Sequence, residues 1–296
     1  MNKILITGAT GHLGRAVVNE LINKQQPDQI VVMARDLSTA GDLKEKGVML
    51  VQGDYDNYDS LVKAFEGIDR LYFVSGSDVV NRVKQHETVV KAAKAAKVGQ
   101  IVYTSFQRKT EDGTSPIAFV AQAHLLAEKL IMESGLTYTI LKHALYSDVL
   151  PMFMGDQVIN TGKIFLPAGN GKCPYTSRTD MALAGAAVLT GAGHENKTYD
   201  IAVSDSYSFY DIANSLSELS GKQIEYTAPD PETFTNVLKQ AGVAEEGITA
   251  TLAFCQAIAV GEFDFPGSDL EELIGRKPES LKEFLKNAYQ LGQQCT

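Results

Sequence analysis

The chain has 296 residues, of which 44% are hydrophobic, and its 27 basic and 36 acidic residues give a formal net charge of −9. This length and apolar content predict a globular protein with a sizeable core, while the negative charge argues against nucleic acid as a partner. No apolar run of about 18 residues occurs and the N-terminus does not resemble a signal peptide, so we expect no membrane span. The widely spaced Cys173, Cys255 and Cys295 are typical of reduced thiols in a cytoplasmic protein.

Short apolar segments alternate with amphipathic segments through the first half of the chain. The predicted strands are Lys3–Thr7, Ile30–Ala34, Met49–Gln52, Arg70–Val74, Gln100–Thr104 and Thr137–Leu141. The predicted helices include His12–Asn23, Tyr58–Phe65, Val80–Ala96 and Pro116–Ser134. This alternation is typical of α/β proteins with a parallel sheet covered on both faces, and right-handed crossovers then give a doubly wound Rossmann fold.

The rhythm changes after Tyr146, where an apolar, methionine-rich segment is followed by glycines and prolines. The predicted elements beyond it are a helix at Asp180–Leu189 capped by Thr179, a strand at Thr198–Ile201, and a helix at Phe209–Leu219 between Ser208 and Gly221. From about Tyr226 onward the chain is predicted to be mostly helical.

Two closely packed parts are therefore expected. Residues 1–150, with about 181–202 returning to the main sheet, should form the Rossmann domain. Residues of about 151–180 and 203–296 should form a smaller, mostly helical substrate-binding lobe.

A glycine-rich loop joins the first predicted strand to the first predicted helix. Gly8, Gly11 and Gly14 have the G-x-x-G-x-x-G spacing, which in this strand–loop–helix context strongly indicates a dinucleotide site. The first glycine permits the tight turn, the second lets the backbone approach a pyrophosphate, and the third lets the helix pack closely on the sheet. The other loop residues assigned to the cofactor are Thr10, His12 and Leu13.

The residue that follows the second strand discriminates between cofactors. An acidic residue there would accept hydrogen bonds from the ribose 2′-hydroxyl of NAD, whereas this chain has Arg35 and only then Asp36. A guanidinium can bind a 2′-phosphate through two hydrogen bonds. We therefore predict that the protein prefers NADP(H). Because the acidic Asp36 follows Arg35, NAD(H) is the alternative cofactor.

Two further strand ends should line the cofactor. Asp54 and Tyr55, after the third strand, are placed for the adenine, and Ser75, Gly76 and Ser77, after the fourth, for the ribose and nicotinamide. Ordinary turn formation is an equally good interpretation of both segments, because Ser, Gly and Asp suit turns.

These motifs resemble the NmrA-like group of atypical short-chain dehydrogenase/reductases. Besides Arg35, the matching segments are Thr7–Gly11, Gly53–Tyr55, Tyr103–Ser105, His124–Lys129, Tyr138–Leu141, Ala144–Asp148 and Gly193–Tyr199. The resemblance covers almost the whole chain and is greatest for the branch of NAD(P)H-dependent quinone oxidoreductases and triphenylmethane reductases. It implies that Thr104 and Ser105 also belong to the cofactor site.

Typical short-chain dehydrogenases use a Tyr-x-x-x-Lys pair, in which the lysine lowers the pKa of the proton-donating tyrosine. Aligned on Glu128, this chain has Val120 in place of the tyrosine and His124 in place of the lysine. Val120 cannot transfer a proton, so alcohol dehydrogenase chemistry of the usual kind is not expected. The quinone- and dye-reducing relatives lack the pair as well.

The candidate substrate site lies beyond the fifth and sixth strands. Its residues are Phe106, His143, Tyr146, Met152 and Phe153. His143 and Tyr146 are the candidate catalytic groups, with His143 standing where the relatives often have asparagine. Burial in the core or in an interface is the alternative interpretation of Met152 and Phe153.

The leading hypothesis is an NADPH-dependent oxidoreductase that delivers hydride to a quinone or a similarly electrophilic aromatic compound. An NADP(H)-binding redox sensor that regulates a partner without turnover is the alternative, and an isoflavone-reductase-like or sugar-nucleotide enzyme is a weaker one. No His, Cys, Asp or Glu cluster has metal-ligand spacing, so no metal is predicted, and a homodimer is left open.

Overall fold

The computed structural model describes residues 2–291, and Cys295 of the predicted thiols lies outside them. The strands of the main sheet are β1 (Ile4–Ile6), β2 (Ile30–Ala34), β3 (Met49–Gln52), β4 (Arg70–Phe73), β5 (Gln100–Phe106), β6 (Thr137–His143) and, after an intervening β7 (Lys163–Phe165), β8 (Lys197–Ile201). All neighbours pair in parallel in the order β3-β2-β1-β4-β5-β6-β8. A separate two-stranded sheet pairs β7 with β9 (Glu225–Thr227).

Helices cover both faces of the main sheet and build most of the remaining chain. Within residues 2–291 they are α1 (His12–Ile22), α2 (Gly41–Glu45), α3 (Tyr58–Phe65), α4 (Arg82–Ala95), α5 (Ala118–Glu133), α6 (Leu150–Met154), α7 (Val158–Thr161), α8 (Arg178–Thr190), α9 (Phe209–Ser220), α10 (Pro231–Gln240), α11 (Glu245–Ala259), α12 (Asp269–Ile274) and α13 (Leu281–Ala288). No helix among these residues has the length and apolarity needed to cross a membrane.

The strand order reverses beside β1, which lies between β2 and β4. Ile4 is in register with Ile30 on one side and with Arg70 on the other. The chain therefore adds β2 and β3 on one side of β1 and then adds β4 and the later strands on the other side. Ligands of open α/β sheets bind beyond the carboxyl ends of the strands at such a switch point. The predicted doubly wound Rossmann fold is confirmed.

The two faces of the sheet have separate cores. On one face α1 and α8 bury Val17 and Met181 against the strands. On the other face α3, α4 and α5 bury Phe65, Val89 and Ile131. The strands are apolar on both sides because both of their faces are covered.

A third core belongs to the segments outside the main sheet. It is centred on Leu150, Tyr175, Phe209, Phe234 and Phe263, all of which are almost completely buried. The β7–β9 sheet borders this core and was absent from the sequence prediction, because three-residue strands show no measurable periodicity. β8 pairs with β6, which places the end of the 181–202 segment in the main sheet.

Two boundaries differ from the prediction in ways that affect the site. β5 and β6 each run two residues further than predicted, because Phe106 is paired with His143 and His143 with Ile201. Phe106 and His143 are therefore the last residues of their strands and do not follow them. α4 begins at Arg82, which leaves Val80 in an exposed loop after β4.

The predicted N-cap of α8 is wrong. Ser177, not Thr179, caps the helix, and its Oγ accepts a hydrogen bond of 3.2 Å from the Asp180 amide. Both residues are of a capping type, and the tertiary structure selects Ser177 because the backbone there is extended.

Asp180 ties the C-terminal segment to the Rossmann domain. Its carboxylate is 1% exposed and accepts hydrogen bonds of 2.7 Å from the Arg276 guanidinium and from the Glu279 amide. Arg276 is half exposed, so the buried carboxylate is the partner whose hydrogen bonds matter more for stability.

We expect Asp180→Ala to lower the free energy of unfolding by about 1–3 kcal/mol, because the Glu279 amide and Arg276 both lose their acceptor. Urea denaturation followed by circular dichroism measures the change. Glu218→Ala is the matched control, since it removes an exposed 2.6 Å ion pair with Lys282 in the same region and should cost about 0–1 kcal/mol. Equal losses in both variants would contradict the assignment.

Candidate functional site

The glycine loop forms a tight connection between β1 and α1. Gly8 has a φ of +60°, a conformation that glycine adopts without strain, and its carbonyl accepts a 3.0 Å hydrogen bond from the Gly11 amide. A Cβ on Gly14 would lie 2.7 Å from the Gly8 carbonyl carbon, so only glycine permits this packing. Gly11 has no side chain to cap α1, and within residues 2–291 no capping side chain accepts a hydrogen bond from the first-turn amides.

The other loop residues differ in what they can offer a ligand. Thr10 and His12 are exposed, whereas the Leu13 side chain is buried in the core beneath the loop. Leu13 can therefore present only its backbone to a bound phosphate. This division suits a site made mainly of main-chain amides.

Arg35 and Asp36 are both exposed but only one of them has polar partners on its side chain within residues 2–291. Asp36 Oδ1 accepts hydrogen bonds from the Ser38 amide at 2.9 Å and from Ser38 Oγ at 2.7 Å. These bonds cap a 3-10 turn at Leu37–Ala40 and lower the pKa of Asp36. The Arg35 guanidinium remains directed to solvent at the end of β2.

Tyr55 holds strand ends together through its hydroxyl group. The hydroxyl lies 2.5 Å from Thr7 Oγ1 and 2.7 Å from the Val74 carbonyl oxygen, joining the ends of β1 and β4. It is therefore not available to a ligand, although the ring lies beside Gly76 in the loop after β4. Asp54 accepts a 3.1 Å hydrogen bond from the Asp56 amide, as in an ordinary Asx turn.

The loop after β4 is held by two side chains from neighbouring elements. Thr104 Oγ1 accepts a 2.9 Å hydrogen bond from the Ser75 amide, and His86 Nε2 accepts one of 3.1 Å from the Gly76 amide. Thr104 is almost fully buried, so its hydroxyl positions the loop and does not face the crevice. Ser77, in the same loop, is exposed.

Ser105 has a different role from the one that the family resemblance implied. Its buried hydroxyl donates to Glu128, and Glu128 in turn forms two hydrogen bonds with the Arg108 guanidinium, at 2.9 and 2.7 Å. Arg108 also reaches the exposed Glu111 at 2.9 Å. Ser105 thus belongs to a buried ion-pair network behind the sheet edge, which sequence reasoning missed because it connects residues 105–111 with Glu128 on α5.

We expect Glu128→Ala to lower the free energy of unfolding by about 3–5 kcal/mol, because the Arg108 guanidinium would stay buried without its main partner. Glu111→Ala removes the other carboxylate from the same guanidinium, but that carboxylate is 52% exposed and should contribute only about 0–1 kcal/mol. Urea unfolding curves of the two variants separate these values. Similar small losses would mean that the buried pair contributes little.

Phe106, His143 and Tyr146 come together at the carboxyl ends of β5 and β6. Register pairing puts Phe106 beside His143, whose ring lies 6.2 Å from that of Tyr146. The Arg178 guanidinium stacks on Tyr146 at 4.5 Å from the ring centroid. These three predicted substrate residues are neighbours at this sheet edge and are called the substrate wall below. Phe106 and Tyr146 are partly exposed there, and His143 lies beneath the surface at 1% exposed.

His143 and Tyr146 are uncharged in this environment. Burial lowers the pKa of His143 to about 3, and neither ring nitrogen has a hydrogen-bond partner within residues 2–291. Burial also raises the pKa of Tyr146, which Arg178 partly offsets. Both side chains can form hydrogen bonds, but His143 is fully enclosed and is a poor proton donor.

Met152 and Phe153 do not join this wall. Met152 is 72% exposed, and Phe153 packs in the core of the lobe with its ring 6.3 Å from that of Phe254. The prediction grouped them with Tyr146 because they are near in sequence, and both belong to α6. The position of Phe153 agrees with the alternative interpretation, in which this residue is packed in the core.

A cluster of buried aromatic polar groups lies directly behind Phe106. Tyr103 on β5 places its hydroxyl 2.7 Å from His124 Nδ1 on α5 and 3.3 Å from His86 Nδ1 on α4. The His124 ring also lies 4.9 Å from the Phe106 ring. The sequence placed His124 at the lysine position and favoured an orienting or packed histidine there, but no local signal connected it to His86.

Comparison with known proteins finds relatives over nearly the whole chain. The NmrA-like family profile matches residues 1–286. The chain belongs to the NmrA-like family. Quinone oxidoreductase 2 of Escherichia coli (strain K12) is 34% identical to it over 288 residues, which cover 97% of this chain and 98% of the relative.

Solved structures of NmrA-like proteins have the same fold. Triphenylmethane reductase of Citrobacter sp., in complex with NADP(H), is 37% identical, with a TM-score of 0.89 over 97% of this chain and 99% of that one. The NADPH-dependent quinone oxidoreductase of Escherichia coli, in complex with NADPH, is 32% identical, with a TM-score of 0.90 and the same coverage of both chains. The family and branch that the motifs indicated are confirmed.

Proposed function

We propose that this NmrA-like protein is an NADPH-dependent oxidoreductase that transfers hydride to a quinone or a similarly electrophilic aromatic compound. The proposal rests on two neighbouring features at one edge of the sheet. These are a glycine loop beside the exposed Arg35, and a wall built from Phe106, His143 and Tyr146. The relatives named above support it, since they are quinone and triphenylmethane reductases whose structures contain NADP(H) or NADPH.

The loop and its neighbours fit a phosphorylated dinucleotide. The uncapped first turn of α1 offers amides to the pyrophosphate, and Gly11 leaves room for the backbone to approach it. Arg35 would hold the 2′-phosphate, while Asp36 caps the adjacent turn through its hydrogen bonds with Ser38. The reduced nicotinamide would supply the hydride.

The substrate wall suits an acceptor that needs little acid assistance. Phe106 and Tyr146 offer aromatic surface for stacking, and the charged group beside them is the Arg178 guanidinium on Tyr146. A quinone gains two electrons with the hydride and takes its remaining proton from water, so a Tyr-x-x-x-Lys pair is not required. We assign substrate binding to this wall together with the lobe built from about 151–180 and 203–291.

We expect the purified protein to oxidise NADPH in the presence of simple quinones or triarylmethane dyes. Absorbance of the reduced nicotinamide reports turnover, and reactions without acceptor provide the background. If tight NADPH binding is observed with no turnover of any acceptor, the enzyme proposal fails and the redox-sensor alternative is favoured. A sensor should also bind oxidised and reduced cofactor with clearly different affinity.

Arg35→Asp should weaken NADPH binding by about 10- to 150-fold, which corresponds to about 1.5–3 kcal/mol for hydrogen bonds to a charged group. NADH binding should stay the same or improve, since NADH has no 2′-phosphate. Fluorescence titration with both cofactors measures the two dissociation constants. Lys24→Asp, at the exposed end of α1, changes the net charge equally and serves as the control; parallel losses for NADPH and NADH would contradict the assignment of Arg35.

A further inference from the structure

A chain of buried hydrogen bonds runs from the loop after β4 to the substrate wall and is not used by the proposed function. It connects the Gly76 amide, His86, Tyr103 and His124. His86, Tyr103 and His124 are all almost fully buried. Burying several polar groups costs free energy unless each has a hydrogen-bond partner. The partners therefore indicate which atoms carry protons.

The hydrogen bonds determine which ring nitrogen of each histidine carries the proton. A backbone amide can only donate, so His86 Nε2 accepts from Gly76 and the His86 proton lies on Nδ1. That N–H faces the Tyr103 hydroxyl at 3.3 Å and the Ala123 carbonyl at 3.4 Å. The Tyr103 hydroxyl therefore donates its hydrogen bond to His124 Nδ1, at 2.7 Å.

His124 is therefore held as the Nε2–H tautomer. Its Nδ1 accepts from Tyr103, and its Nε2 has no hydrogen-bond partner within residues 2–291 and is not among the fully enclosed polar atoms. The ring packs against Phe106, the last residue of β5. One N–H donor is thus left over beside Phe106 of the substrate wall.

The cluster carries no positive charge of its own. Burial lowers the pKa of His86 to about 4 and, with further contributions from His86 and Arg82, holds the pKa of His124 well below its usual range. Burial also raises the pKa of Tyr103 well above its usual range. At neutral pH all three side chains are uncharged, and His124 acts as a neutral N–H donor.

We propose that His124 Nε2–H donates a hydrogen bond to the carbonyl oxygen of the quinone as that oxygen gains negative charge. This inference depends on the proposed function. The acceptor gains two electrons and one proton as hydride, its carbonyl oxygen becomes an oxyanion, and water supplies the second proton to give the hydroquinone. His124 keeps its proton throughout, and Tyr103 and His86 are positioning residues that maintain its tautomer.

The geometry distinguishes two classes of acceptor. A quinone develops oxyanion charge and benefits from the donor, whereas a triarylmethane cation accepts hydride at carbon, becomes neutral and has no oxyanion to stabilise. His124→Leu should lower kcat/KM for a benzoquinone relative to that for a triarylmethane dye on the order of 100-fold, the effect of losing one oxyanion donor. His124→Gln, whose amide can donate from nearly the same place, should recover part of this ratio.

Controls separate a chemical role from a structural one. The dissociation constant of NADPH should stay within about threefold in His124→Leu, because the His124 ring contacts Tyr103 and Phe106. A larger change would indicate that His124 binds the cofactor ribose and would overturn the inference. Gln122→Ala, on the exposed side of α5, should leave both acceptor activities unchanged. Equal losses for quinone and dye in His124→Leu would overturn the inference while leaving the proposed function intact.

Nitrogen NMR of the histidine side chains provides a readout that does not depend on turnover. The wild-type protein should show His124 protonated at Nε2. In Tyr103→Phe, His124 should populate both tautomers. The ratio of kcat/KM for quinone to kcat/KM for dye should fall by less in Tyr103→Phe than in His124→Leu. A wild-type His124 protonated at Nδ1 would overturn the inference. If the wild-type protein reduces neither acceptor, the proposed function fails and this role of His124 fails with it.

Discussion

The close approach of Gly14 to Gly8 is the contact on which the site depends. A side chain on Gly14 would collide with the Gly8 carbonyl, so the first turn of α1 can sit against the end of β1 only because residue 14 is glycine. That packing aims the uncapped amides of α1 at the switch point of the sheet. Removing it would displace the anion-binding amides and leave the exposed Arg35 without a neighbouring phosphate site.

Hydrogen bonds between strand ends keep the rest of the crevice in place. Tyr55 joins Thr7 to Val74, and Thr104 holds the amide of Ser75, so β1, β4 and β5 are tied together at their carboxyl ends. These side chains support the cofactor loops from behind. A preorganised loop of this kind needs little reordering when a ligand binds.

Helix α5 carries two buried polar residues on successive turns, and the protein satisfies them in different ways. Glu128 is charged and is paired with the Arg108 guanidinium. His124, one turn earlier, is neutral and is held by the Tyr103 hydroxyl. The ion pair stabilises the sheet edge, whereas the neutral donor is left with an N–H to offer to a substrate.

The sequence by itself determined the Rossmann architecture and the cofactor class. Periodicity identified β2, β3 and α3 to the residue, because apolar pattern and turn residues are local signals. Glycine spacing and Arg35 are equally local, since a strand end, a tight turn and a helix start are neighbours in the chain.

Only the tertiary structure decided the functions of individual hydroxyl and imidazole groups. Ser105 was expected at the cofactor and its hydroxyl donates to Glu128, and Phe153 was expected at the substrate and packs against the core of the lobe. The His86–Tyr103–His124 chain was not foreseen. Each of these outcomes depends on which side chain from a distant segment lies within hydrogen-bonding distance, and sequence spacing contains no information about that distance.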